Sequence, residues 1–163
     1  GTILTLQVIS SRRKNGNFFE TTISGCAFDH AEFIECNFFG ARFNGCTFRT
    51  GTIFYTCLFD TSAFSDCHFY SATIENSGFN RATIGEGTRF FIGATLADCR
   101  FPDATLDNVH FVGAALTRCD FTNATLTMTN VVLQGARRED LTLPSRYREW
   151  FEPDDPTIIW APQ

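Results

Sequence analysis

The residues of this 163-residue chain best suited to chemistry are its seven cysteines and three histidines. Thiolates attack as nucleophiles or bind soft metals, and imidazoles ligate metals or carry protons. Their spacing disfavours every one of these uses. Cys26, Cys36, Cys46, Cys57, Cys67, Cys99 and Cys119 form no Cys-x-x-Cys pair, and His30, His68 and His110 are widely separated. No Gly-x-Ser-x-Gly, His-Glu-x-x-His or P-loop pattern appears, and Gly85-Glu86-Gly87-Thr88 has no following Lys and reads as a loop. The expected sets of catalytic, cofactor-binding and metal-binding residues are empty, and the chain reads as a non-enzyme.

What positions the cysteines is a beat of five. Phe, Leu or Ile recurs at Phe18, Ile23, Phe28, Phe33, Phe38, Phe43, Phe48 and Ile53, then after one extra residue at Phe59, Phe64, Phe69, Ile74, Phe79 and Ile84. After two more it resumes at Phe91, Leu96, Phe101, Leu106, Phe111, Leu116, Phe121, Leu126 and Val131, about two dozen units in all. Two residues before most centres stands Ala or Cys, which makes the unit small-x-large-x-x. Nineteen Phe beside one Met and two Trp suit one environment repeated many times.

A period of five fits neither a helix nor a long strand. It fits three extended residues, whose first and third point inward because strand side chains alternate, followed by a two-residue corner. Cys alternates with Ala at the small position, so like residues recur every second unit. Four units per coil stack Cys on Cys, which puts Cys36, Cys57, Cys99 and Cys119 on one wall and Cys26, Cys46 and Cys67 on the opposite wall. Stacked parallel side chains hold Cβ atoms slightly too far apart for disulfides. Free buried thiols suit a reducing, cytoplasmic compartment.

From Gly16 to Leu133 these units resemble the pentapeptide-repeat family. The resemblance implies an all-β fold, a right-handed quadrilateral parallel β-helix of about six coils, on the order of 30 Å long at the usual strand spacing. The divisions expected are an N-terminal capping strand and turn over 1–15, the repeat over 16–133, and a cap helix with a Pro-rich tail over 134–163. Ile3 to Ile9 reads as the strand, and Pro144 to Phe151 as a short helix whose Tyr147, Trp150 and Phe151 plug the last coil. A homodimer contact is the alternative use of those aromatics. Arg89 falls at an inward small position, where an unpaired charge is costly, so Gly85–Phe90 is expected to loop out. The Phe-rich centres depart from the Leu of many relatives.

The net charge of −5 argues against direct nucleic-acid binding, which runs on Lys and Arg. No apolar run is long enough for a membrane span. One wall is expected to gather Glu32, Glu35, Glu75 and Asp98 with only Arg118 in opposition. Tyr55, Glu86 and Trp150 are further candidate contacts for a protein partner. The leading expectation is a rigid binding or scaffolding domain. The chain opens on Gly1 rather than Met, which reads as a cleaved tag or a module of a longer protein such as a secreted bacterial effector. The resemblance also implies an alternative: some relatives imitate DNA and modulate bacterial DNA gyrase.

Overall fold

A computed structural model describes residues 3–5, 11–85, 91–127, 137–150 and 156–161. Three-residue strands recur once per half coil: β1 (Ile3–Thr5), β2 (Arg12–Lys14), β3 (Thr22–Ser24), β4 (Glu32–Ile34), β5 (Arg42–Asn44) and β6 (Ile53–Tyr55). They continue as β7 (Ala63–Ser65), β8 (Thr73–Glu75), β9 (Thr83–Gly85), β10 (Thr95–Ala97), β11 (Thr105–Asp107), β12 (Ala115–Thr117), β13 (Thr125–Thr127) and β14 (Arg137–Glu139). Odd and even strands form two separate seven-stranded sheets, β1-β3-β5-β7-β9-β11-β13 and β14-β12-β10-β8-β6-β4-β2, in which every pair is parallel. Two further walls join them through single bridges. One runs Asn17–Asn37–Leu58–Gly78–Arg100–Asp120, the other Ala27–Thr47–His68. The molecule is a four-walled parallel β-solenoid of about six turns.

The corners explain why polar residues occupy two places in five. Each corner holds one residue in the left-handed region, and many are not glycine: Glu20, Glu35, Thr61, Arg81 and Asp103 have φ between 49° and 57°. An L-residue there loses about 1–2 kcal/mol. The next coil offsets this, because the same residues bond to it: Glu20 N–H to the Phe39 carbonyl at 2.9 Å, Glu35 N–H to Tyr55 at 2.9 Å, Thr61 N–H to Asn80 at 2.8 Å.

Inside, one column of rings runs Phe18, Phe38, Phe59, Phe79, Phe101, Phe121, with successive centroids 4.6–4.9 Å apart and planes within 11°. Neighbouring columns meet it edge-on, as Phe33 meets Phe38 at 74°, the geometry that aromatic quadrupoles favour. The cysteines fill the small positions as expected and are all free and buried. Their Sγ atoms donate to carbonyls of the preceding coil, Cys57 to Phe33 at 3.3 Å and Cys99 to Ile74 at 3.3 Å. Hydroxyls replace thiols where the geometry allows: Ser77 Oγ donates to Glu75 at 2.9 Å and accepts from Cys57 N–H at 3.1 Å.

The expected centre Ile53 is corrected. Phe54 is fully buried in its place and Ile53 only partly so. The extra residue is spent in the corner before the strand, where Gly51 takes φ 82°, and not after it. Thr52 then occupies the small position, its hydroxyl donating to the Phe28 carbonyl at 2.7 Å. Gly85, expected to open a loop, closes β9. The rest of that insertion, Arg89 included, and the expected centre Val131 lie outside the described residues.

At the C-terminal end β15 (Leu141–Pro144) leads into a 3-10 turn (Ser145–Trp150), and β16 (Ile158–Ala161), from the segment expected as tail, pairs with β15 in parallel. Tyr147 is buried, its hydroxyl at Leu126 N–H of β13. No helix among the described residues is long and apolar enough to cross a membrane.

Candidate interaction surface

Five of the predicted site residues share the wall of even-numbered strands. Register aligns Lys14, Ile34, Tyr55, Glu75 and Ala97 in one outward column, since these residues are Cα partners strand by strand. Glu32 lies in the parallel column, opposite Arg12. Glu35 and Asp98 occupy the corner beside it, both with left-handed backbone.

The expected charge balance of this wall is corrected. β2, which has no apolar residue and so gave no repeat signal, contributes Arg12 and Lys14. Arg12 Nε lies 3.4 Å from Glu32, and Lys14 Nζ lies 4.0 Å from Glu35. At the far end Arg118 forks onto Asp98, with Nε to Oδ1 and Nη2 to Oδ2 both 2.7 Å. That hydrogen bonding holds the Asp98 carboxyl below its usual range. Three of the four carboxylates thus face a cation, and Glu75 makes no ion pair among the described residues. Glu86 lies outside the described residues. Trp150 ends the 3-10 turn, far along the chain from this wall.

Among the described residues three large hydrophobic side chains are exposed: Phe19 at 49%, Tyr55 at 46% and Leu58 at 40%. All belong to the first three coils: Tyr55 and Leu58 flank one corner, and Phe19 stands at the next one along the adjoining wall. Tyr55 ends β6, Cys57 turns inward, and Leu58 opens the adjoining wall, bridged to Asn37. On that wall Phe19 stacks on Phe39 with centroids 5.7 Å apart. The sequence held a signal for these two, because Phe18-Phe19 and Phe38-Phe39 each place a second ring where the repeat expects a polar residue. Beside Phe39 a shallow hollow is lined by Glu20, Thr22, Gly40, Arg42, Thr61 and Ala63.

Among the described residues no three His, Cys, Asp or Glu side chains converge as a metal site. Burial pushes the Cys36, Cys57 and Cys67 thiols up, Cys57 to about 12, whereas the hydrogen bond with Cys67 lowers Cys46.

The family model for pentapeptide repeats matches eight copies over residues 17–52, 91–123 and 99–137, together half of the chain. Similar solved structures include full-length QnrB1, a plasmid-mediated fluoroquinolone resistance protein, at 17% identity and a TM-score of 0.48 over 83% of this chain and 71% of that one. HetL, involved in heterocyst differentiation regulation in the cyanobacterium Nostoc sp. strain PCC 7120, matches at 12% identity and 0.29, over 85% and 87%. Rfr23 from the cyanobacterium Cyanothece 51142 matches at 13% and 0.25, over 92% and 91%. No curated protein matches the sequence.

Proposed function

The chain belongs to the pentapeptide-repeat family, and from that premise we propose that it is a rigid, non-enzymatic protein-binding module. One observation carries the reading: on the first three coils Tyr55 and Leu58 are exposed either side of one corner, and Phe19, stacked on Phe39, is exposed at the next. Apolar side chains gathered in one place on a surface mark interaction sites, whereas singly scattered ones do not. Aromatic anchors with two rotatable bonds also lose little entropy on docking.

Charge chooses the partner. Glu20 and Glu75 border the apolar side chains and make no ion pair among the described residues. The matching partner is a basic protein segment carrying apolar residues, with cations meeting the carboxylates and apolar groups meeting Phe19, Phe39 and Leu58. The test is binding of a synthetic peptide of alternating Leu and Arg, against a Leu and Glu counterpart, followed by fluorescence anisotropy. The Arg peptide is expected to bind, and Phe19→Ser with Tyr55→Ser and Leu58→Ser to weaken it at least tenfold. Equal binding by the triple variant, or by the acidic peptide, would remove this surface from consideration.

A second reading, modulation of bacterial DNA gyrase by imitation of DNA, is favoured by the net charge of −5. Its charge is spread unevenly, because the wall expected to be most acidic carries Arg12, Lys14 and Arg118 as well.

A further inference from the structure

The seven cysteines stand in stacks that repeat one side-chain geometry. Cys26, Cys46 and Cys67 lie on successive coils of one wall, fixed by the bridges Ala27–Thr47–His68 beside them. Cys36 and Cys57 stack in the same way on the opposite wall, beside the bridge Asn37–Leu58, and so do Cys99 and Cys119 beside Arg100–Asp120. The thiols point alike. Cys46 Sγ lies 3.4 Å from the Ile23 carbonyl, and Cys67 Sγ lies 3.5 Å from that of Phe43, the equivalent residue one coil on. Cys36 and Cys57 repeat the contact at Arg13 (3.5 Å) and Phe33 (3.3 Å). Cys99 and Cys119 repeat it at Ile74 (3.3 Å) and Leu96 (3.5 Å).

Equal geometry on successive coils sets neighbouring sulfurs one strand spacing apart, about 4.8 Å. That is too far for a disulfide, whose sulfurs lie about 2.05 Å apart. It suits two metal–thiolate bonds laid end to end, which at about 2.3 Å each span about 4.6 Å. The thiols also sense one another: hydrogen bonding with Cys67 lowers Cys46, and hydrogen bonding with Cys119 raises Cys99. Charge then selects the cation. The six paired thiols are 0–3% exposed, where a net charge is costly. Two thiolates carry two negative charges, so a divalent cation leaves the unit neutral. Zn(II) is divalent but takes four ligands, and among the described residues no third His, Cys, Asp or Glu converges on a pair. A soft divalent cation that is satisfied by two collinear sulfurs fits, and Hg(II) is the type case.

We propose that the stacked pairs Cys46–Cys67, Cys36–Cys57 and Cys99–Cys119 are two-coordinate sites for a soft divalent cation, one per pair, set between the sulfurs along the solenoid axis. Each site forms as two S–H bonds lose their protons to solvent and two sulfur–metal bonds replace them. No electron is transferred, and the charge of the core is unchanged. Only weak thiol hydrogen bonds are given up. Cys-x-x-Cys spacing is absent because a whole coil, not a tight turn, brings the sulfurs together. Burial makes entry depend on opening of the coils, so the sites load as the chain folds, and a bound cation ties two coils to each other.

The test is refolding of the full chain from urea with a slight excess of mercuric chloride, removal of singly held cation by glutathione, and a count of mercury per chain. The unmodified protein is expected to retain one cation per pair, three in all, with two sulfurs at about 2.3 Å by X-ray absorption. Cys46→Ala and Cys67→Ala each delete one thiol, but only the first breaks a stack. Cys46→Ala leaves Cys26 and Cys67 two coils apart and is expected to lose one cation. Cys67→Ala leaves Cys26 stacked on Cys46 and is expected to lose none. Ala already fills the small position at Ala31, Ala41 and Ala72, so both variants are expected to fold, which far-UV circular dichroism checks. Equal mercury in the two variants overturns the proposal, because binding would then follow the number of thiols and not their stacking. An unmodified protein that surrenders all its mercury to glutathione overturns it as well.

Discussion

The Tyr147 hydroxyl accepts a hydrogen bond from Leu126 N–H at 2.8 Å, across the open face of the last complete coil. In a parallel ladder such a donor finds a carbonyl of the adjoining strand, so Tyr147 supplies what a further strand would have supplied. Removing the hydroxyl alone leaves a buried N–H without its acceptor, a loss of about 1–3 kcal/mol. Tyr147→Phe is therefore expected to lower the denaturant midpoint without changing the slope. Tyr147→Ala also uncovers Leu126 and is expected to cost more. Equilibrium urea unfolding checks both. A Tyr147→Phe midpoint equal to that of the unmodified protein would mean that water serves this N–H as well as the phenol does.

The inward register at the first insertion gives a second prediction. Phe54 packs 5.0 Å from Phe33, and its truncation empties a volume that a rigid coil cannot collapse into. Phe54→Ala is expected to cost about 3–5 kcal/mol, whereas Ile53→Ala, one residue earlier and outside the column, is expected to cost under about 1 kcal/mol. Comparable losses from the two would place the insertion on the other side of the strand.

That pair of residues also marks how far the sequence could be read. Phe and Leu at every fifth position declare the inward column because nothing else fills it, and the Cys and Ala alternation declares four walls because only every fourth unit stacks. At 49–54 both Ile53 and Phe54 suit a centre, and the preceding Thr52 reads as a corner residue until its hydroxyl is seen bonded to Phe28. Arg12-Arg13-Lys14 was silent for a related reason. It is the end strand of its sheet among the described residues, its inward residue is the exposed Arg13, and the periodic signal vanishes where the charge pairing of Glu32 and Glu35 is decided. Phe19 was legible as a departure from the pattern but had no meaning until Phe39 was placed beside it.

The thiols predict a dependence on pH. Burial pushes Cys57 up to about 12 and raises Cys36, and it raises Cys67 well above its ordinary value. In the unfolded chain these thiols ionise near 9.0. Below that pH both states hold the proton, and stability does not depend on it. Above it the unfolded chain releases protons that the folded chain retains, so stability falls as pH rises from about 9 towards 12. Each such thiol adds a slope of at most about 1.4 kcal/mol per pH unit, the value for one proton held by the folded chain alone. Urea midpoints are expected to drop as pH rises beyond about 9, while Cys46, lowered by its hydrogen bond with Cys67, adds stability as pH approaches 9 from below. A thiol reagent at pH 8 is expected to label the cysteines slowly in the folded protein and rapidly in denaturant. Fast labelling of the native protein would show that the Cys walls open to solvent.

The gyrase reading yields the last prediction, because it and the binding-module reading depend on different residues. Imitation of DNA needs a long field of uncompensated carboxylates, and on the even-numbered wall Arg12, Lys14 and Arg118 already face Glu32, Glu35 and Asp98. Exposed pairs of this kind are screened within about 10 Å in ordinary salt, so little net field is left at the distance of an approaching enzyme. A module that binds through Phe19, Tyr55 and Leu58 is expected to leave gyrase supercoiling unchanged at micromolar protein. If supercoiling does change, Glu35→Lys with Asp98→Lys must abolish the effect while Phe19→Ser with Leu58→Ser spares it. That outcome would move the function from the apolar corner to the charged wall.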